Sequence, residues 1–317
     1  MRTIINIFRR KFMKRILFTS GLIFSIFVSL ISAQNELFNK AIQQFDAKQY
    51  DQAAETFKQV VAQSPNYYQA HFNLGLCQYN LKKYDEAISS FQKTASIKPD
   101  YVRANYWLGN ALHIQKRYDE AIISYQKMLQ YEPANSNAYY KTGLVYQDQK
   151  KYVEAEVALK KAVELKPEDA NYKIELGNAY VNLKKFPEAV TVFNEAIKIN
   201  PNSPDAQLGL GNAYYNNTKA AESIPYYKKA GELLPTWATA HLYLADAYYK
   251  TAQYPLAISY YQKAISLDAK RGDAYYGLGL TYIVQKNKTL AQQALKNLEP
   301  LDSNRATILR TAINKMK

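Results

Sequence analysis

The sequence predicts an all-α solenoid assembled from about eight copies of one small helical hairpin. Three observations carry that prediction. Pro65, Pro99, Pro133, Pro167, Pro201 and Pro235 recur at one fixed interval of about 34 residues. A small-residue series keeps the same step: Gly75, Gly109, Gly143, Gly177, Gly211, Ala245 and Gly279. Between successive prolines lie two apolar stripes of helical period, split by a polar turn, which is the pattern of an αα-hairpin.

The first segment, residues 1–33, stands outside the array. Arg2, Arg9, Arg10, Lys11, Lys14 and Arg15 precede an uncharged apolar run from Ile16 to Ala33 that ends in Ile31-Ser32-Ala33. A basic stretch, an apolar stretch and a small-residue exit read as a secretory signal peptide. The alternative is an uncleaved membrane anchor, because the run approaches the roughly 20 residues needed to span a bilayer. Met13-Lys14-Arg15 is itself an ordinary start, so translation from Met1 or from Met13 both fit. Gln34, not a cysteine, directly follows the run, which speaks against a lipoprotein anchor.

The array then divides into repeats 34–67, 68–101, 102–135, 136–169, 170–203, 204–237, 238–271 and 272–302. The first repeat is degenerate, with Lys40-Ala41 at the small-residue slot. The fifth shows the plan most fully. Ile174, Leu176, Gly177, Tyr180 and Val181 make one stripe; Ala189, Val190, Val192, Phe193, Ala196 and Ile197 make the next. Pro187 suits a helix first turn, where a missing N–H costs nothing, and Pro201 closes the repeat. Gly177 and Ala189 are expected to let the two backbones approach. The sixth repeat departs: Pro225 and Gly231 fall inside its second stripe, so that helix is expected to start late and to be the softest joint. Residues 303–317 read as a capping helix, with Ala306, Leu309, Ala312, Ile313 and Met316 on one face.

The Leu-Gly pairs, the following Ala at residues 53, 87, 121, 155 and 189, the large residue four positions later (Phe57, Phe91, Tyr125, Leu159 and Phe193) and the closing Pro resemble the tetratricopeptide repeat family closely, over nearly the whole chain after residue 33. That resemblance implies a right-handed superhelix whose first helices line a concave face. Carried onto this sequence, the face holds Tyr106, Asn110 and His113, then Tyr140, Leu144 and Gln147, then Ile174, Asn178, Val181 and Asn182. Leu208, Asn212, Tyr215, Asn216, Leu242, Asp246 and Tyr249 continue it. Asparagine carries both donor and acceptor, which suits the backbone of an extended peptide, and tyrosine gives rigid contact area with a polar tip. The lysine and arginine combination of the family's carboxylate clamp is missing.

The formal charge is +14; the six positives and no acids before Ile16 leave +8 for the remainder. The family usually puts glycine and a polar residue in the turn within each hairpin. This chain has Lys82-Lys83, Lys116-Arg117, Lys150-Lys151 and Lys184-Lys185, then Lys219 and Lys286. Stacked repeats would align them as a basic ridge, either a solvated edge or a surface for anionic lipid, glycan or acidic protein.

Nothing in the sequence points to chemistry. His71, His113 and His241 form no ligand cluster with metal spacing. Glu86, Glu120, Glu154 and Glu188 recur at the period, as second-helix N-terminal acids facing the helix dipole. The single cysteine, Cys77, reads as a buried thiol. No phosphate loop or nucleophile elbow is present. The sequence therefore predicts a non-enzymatic exported scaffold, without metal or cofactor, that binds a partner protein segment. The alternatives are a peripheral envelope-binding protein or a non-catalytic subunit of an envelope enzyme. Nucleic acid fits the charge but not export.

Overall fold

A computed structural model describes residues 34–316. The segment read as a signal or anchor lies outside the described residues. Among those described there are 17 helices and no strand, in two compact units, one ending at Ala134 and the other running from Asn135. No helix there is long and apolar enough to cross a membrane.

The N-terminal unit holds α1 (34–46), α2 (Tyr50–Gln63), α3 (Tyr68–Asn80), α4 (Tyr84–Ile97), α5 (Val102–Ile114) and α6 (Tyr118–Tyr131). The C-terminal unit holds α7 (Ser136–Asp148), α8 (Tyr152–Leu165), α9 (Ala170–Asn182), α10 (Phe186–Ile199), α11 (Pro204–Asn216) and α12 (Ala220–Leu233). It continues with α13 (Ala238–Lys250), α14 (Tyr254–Leu267), α15 (Gly272–Val284), α16 (Lys288–Leu298) and α17 (Ser303–Asn314). From α3 to α15 each first helix has 13 residues, and from α2 to α14 each second helix has 14. Within each compact unit every helix packs on the next in sequence, the arrangement of an α-solenoid.

The turn inside each hairpin has one geometry throughout. Lys82, Lys116, Lys150, Lys184 and Lys286 sit at φ of 58–60°, joined by Lys48, Thr218 and Ala252 at the same step. The hydrogen bonds are those of a Schellman motif: Lys82 N–H donates to Tyr79 O at 3.0 Å and Lys83 N–H to Gln78 O at 2.8 Å. Glycine normally takes this left-handed position, because a Cβ there crowds the backbone. Here lysine takes it at most of the turns.

The glycine slots serve ring packing more than backbone contact. A Cβ on Gly177 would lie 2.7 Å from the Phe193 ring, and one on Gly209, in the next first helix, would run into the same ring. Phe193 is thus closed between two glycines and fully buried. Tyr261 meets Gly277 in the same way. At the far end of the C-terminal unit, Ala306, Leu309 and Ile313 of α17 are buried against Leu278, Leu295 and Leu298 and close the core.

The sixth repeat corrects an expectation. Its second helix, α12, does not start late; it begins at Ala220, in register with α10, and carries Pro225 inside. Pro225 removes one helical hydrogen bond. Ser223, Tyr227 and Ala230 are nonetheless buried on the face towards α11 and α13, and Ser223 Oγ–H donates to Ala220 O at 2.7 Å. Gly231 leaves room for the His241 ring, whose Nε2 lies 3.0 Å from Pro235 O. Packing therefore keeps the helix in place while its local hydrogen bonding stays weaker. Hydrogen exchange across residues 222–234 is expected to be faster than across 188–200; equal protection would contradict this.

Candidate functional site

The residues assigned to a partner groove fall on alternate helices. In the N-terminal unit Tyr106, Asn110 and His113 lie on α5 and are partly buried. Asn110 Oδ1 accepts from the buried Tyr125 hydroxyl at 2.8 Å, and the His113 ring meets Tyr118 edge-on at 5.9 Å.

In the C-terminal unit, Tyr140 of α7 stacks on Tyr172 at 4.6 Å, and Leu144 is partly exposed. Gln147 Nε2 donates to Glu175 O at 2.8 Å and so ties α7 to α9. On α9, Asn178 Nδ2 donates to the Glu175 carboxylate at 3.2 Å and Asn182 Nδ2 to Asn178 O at 2.9 Å; Val181 packs at the core edge. Burial raises the Glu175 carboxyl above its usual range. Ile174 and Leu208 are buried core residues rather than exposed contacts, whereas Leu242, also buried, lines a cavity wall. At Ile174 and Leu208 the slot points between helices, where stacking closes it.

The best-formed part of the site lies on α11, α13 and α15. A cavity of about 220 Å³ is lined by Asn212, Tyr215, Asn216, Tyr227, Tyr243 and Asp246. A second, of about 460 Å³, shares Tyr215, Tyr243 and Asp246 and extends past Tyr249, Lys250, Tyr276 and Leu280 to Arg305 on α17. Together they form one aromatic trough with amide, carboxylate and cationic groups in its walls.

The floor of the trough repeats one bond. Tyr227 O–H donates to Asn212 Oδ1 at 2.9 Å, and Tyr261 O–H to Asp246 Oδ1 at 2.6 Å. The asparagine oxygen is therefore committed within the hairpin, and at Asn212 the Nδ2 hydrogens are the groups left to meet a ligand. Where the aromatic is Phe193, no hydroxyl is present and Asn178 turns to Glu175 instead. Burial pushes the Asp246 carboxyl up to about 6; the Tyr261 hydrogen bond opposes this, Asp273 adds to it, and Arg271 and Lys250 oppose it. Burial and Asp246 push the Tyr215 hydroxyl up to about 12. Arg271 is held by a two-point fork to Asp273, at 3.0 and 2.8 Å.

Tyr227, Tyr243, Lys250, Tyr261, Asp273, Tyr276 and Arg305 were not among the groove residues read from the sequence. One signal could have found two of them: Asn110 and Tyr125, Asn212 and Tyr227, and Asp246 and Tyr261 all stand 15 residues apart.

The turn cations are exposed at Lys82, Lys83, Lys116, Arg117, Lys150, Lys151, Lys184, Lys185, Lys219 and Lys286. Several second positions are ion-paired: Arg117 forks to Glu120 at 2.7 Å, Lys185 reaches Glu156 at 2.7 Å, and Lys83 lies 3.6 Å from Asp51. Cys77 is fully buried, which pushes its thiol up to about 12, out of the reactive range. Among the described residues no group of His, Cys, Asp and Glu could hold a metal ion.

Sequence profiles described as tetratricopeptide repeat match residues 38–102, 81–140 and 238–270, and one described as TPR repeat matches 177–217. These matches fall on the helix pairs described above. The chain is a tetratricopeptide repeat protein. A profile of anaphase-promoting complex, cyclosome, subunit 3 also matches residues 114–196. A search of curated proteins finds no match. Among solved structures, a tetratricopeptide repeat protein from Parabacteroides merdae is 20% identical, with a TM-score of 0.62 over 78% of this chain and 98% of that one. The Pseudomonas aeruginosa pilF protein is 19% identical, with a TM-score of 0.58 over 66% and 96%. YrrB, described as a TPR protein with an unusual peptide-binding site, is 21% identical, with a TM-score of 0.50 over 59% and 96%. At these identities the likeness is one of fold. The tetratricopeptide fold is that of a protein-interaction scaffold.

Proposed function

We propose that this chain is a non-enzymatic, exported scaffold that holds an extended segment of a partner protein in the trough of α11, α13 and α15. The observation that carries the reading is the pair of cavities joined through Tyr215, Tyr243 and Asp246. Tyrosine rings offer contact area at low entropic cost, and the Asn212 amide suits a peptide carbonyl. The peptide-binding site named for YrrB supports the reading as a property of a neighbour with the same fold. Export rests on the basic, apolar and small-residue order of residues 1–33, and mass spectrometry of the mature N-terminus checks it.

The trough is tested by panning a displayed peptide library against the protein. Selected peptides are expected to lose at least tenfold in affinity with Asn212→Ala and Tyr215→Ala combined, while the melting temperature stays within a few degrees. Charge reversal at Lys150 and Lys184 should spare binding. Peptides that ignore the trough variant, or that fail only on charge reversal, would move the site to the basic turns.

A further inference from the structure

We propose that the N-terminal unit carries a second recognition site, walled by the second helices of two successive hairpins: a cavity over α5, between α4 and α6, that takes one aromatic side chain with a ring N–H or O–H from a partner polypeptide. The cavity measures about 490 Å³ and is lined by Pro99, Asn105, Leu108, Ile123, Lys127 and Tyr131 among others. That volume lies within the range of small-ligand pockets. Asn105 is only 3% exposed, and its Oδ1 has no hydrogen-bond partner. A buried acceptor of this kind destabilises the fold until a donor reaches it. Ile123 and Tyr131 stand half exposed beside it, at 50% and 49%.

The chain itself shows what the gap accepts. Asn105 occupies a repeat slot held elsewhere by His71, Tyr139, Lys173, Gln207, His241 and Tyr275. At His71 and His241 the imidazole Nε2 lies 2.9 and 3.0 Å from the carbonyl of the proline six residues earlier, Pro65 and Pro235. Asn105 is too short to imitate that contact, and the corresponding proline, Pro99, lines the cavity. In the fifth repeat Lys173 at this slot pairs with Glu195. The position equivalent to Glu195 in the third repeat is Lys127, a cation at the cavity wall. An aromatic face suits a nearby ammonium, and a ring N–H or O–H suits the Asn105 oxygen. A guest histidine, tyrosine or tryptophan ring would thus supply from outside what His71 and His241 supply from within.

The experiment uses the ¹⁵N-labelled protein and three probes: p-cresol, 4-methylimidazole and toluene. p-Cresol or 4-methylimidazole is expected to shift the Asn105 side-chain amide saturably, with toluene at least fivefold weaker. The blocked peptide acetyl-Gly-Tyr-Gly-amide should bind at least as well as p-cresol. Asn105→His, which fills the gap with the chain's own imidazole, should abolish the binding and raise the melting temperature. Ile123→Glu, at an exposed position, should weaken binding without unfolding the chain. The proposal fails if no probe saturates, if toluene binds equally, or if both variants bind like wild type. Binding of p-cresol with exclusion of the peptide would assign the cavity to a free small aromatic and overturn the polypeptide partner.

Discussion

Replacing Lys82, Lys116, Lys150, Lys184 and Lys286 together with glycine is expected to raise the thermal midpoint by roughly 5 °C or more. Each lysine sits in the left-handed region, at φ of 58–60°, at the C′ position of a Schellman turn. A non-glycine residue there costs about 1–2 kcal/mol. Glycine returns part of that by enlarging the freedom of the unfolded chain, about 0.4–1 kcal/mol. The net gain is roughly 0.5–1 kcal/mol per turn, and the turns lie in separate hairpins, so the gains should add. The same five positions changed to alanine separate conformation from charge. Alanine removes the same positive charge but keeps the Cβ, so its midpoint should stay near that of wild type. If the alanine set matches the glycine set, charge repulsion rather than backbone strain explains the gain. Calorimetry on the three proteins makes the comparison.

Asp246→Asn is expected to stabilise the C-terminal unit by about 2 kcal/mol at pH 8, and by nothing below about pH 4. The Asp246 carboxyl sits at about 6 in the folded chain, against a usual value of 3.8. A raised acid works against folding while it is ionised. Above pH 6 both folded and unfolded chains carry the charge, and the folded one bears its desolvation cost. As pH falls from 6 towards 3.8 the folded state takes up the proton first, so stability returns and the advantage of asparagine shrinks. Each tenfold change in acidity corresponds to about 1.4 kcal/mol; the trough opens to solvent, so the expected effect is less than the full conversion. Asparagine can keep the tyrosine bond, as Asn212 does with Tyr227. The reciprocal change, Asn212→Asp, should lower stability at pH 8 by a similar amount. Urea midpoints at pH 4, 6 and 8 check both, and a difference that does not vary with pH would exclude the linkage.

The helices were legible in the sequence because one rule was written many times. The fixed step read from prolines and glycines places the start of every first helix from Tyr68 to Gly272 in register. The misreading at α12 has a physical cause. Propensity at Pro225 is local, whereas the burial of Ser223, Tyr227 and Ala230 is shared with the neighbouring helices, and the shared contribution wins. The candidate groove was legible as a set of slots, but the burial of each slot was not. Ile174, Leu208 and Leu242 share a stripe with Asn178, Asn212 and Asp246, but stacking closes Ile174 and Leu208, while Leu242, Asn212 and Asp246 line the trough. Asn110 and Asn212 looked free because their hydroxyl partners lie 15 residues away in the chain, beyond the turn. The cavity at Asn105 was not legible at all: it is a gap, and a gap appears only when three helices are assembled around a side chain one size too small.

The Phe193 ring held between Gly177 and Gly209, and Tyr261 against Gly277, make two seams of matching shape in one chain. The seam between them differs, since Tyr243 stands where the other two have glycine. Neighbour choice in this array is consequently keyed. A repeat presenting glycine can follow a fully extended ring, and a repeat presenting tyrosine cannot take its place. Reordering the modules would succeed for the pair with like keys and jam for the odd one, so the order of repeats along the chain is itself part of what holds them in line.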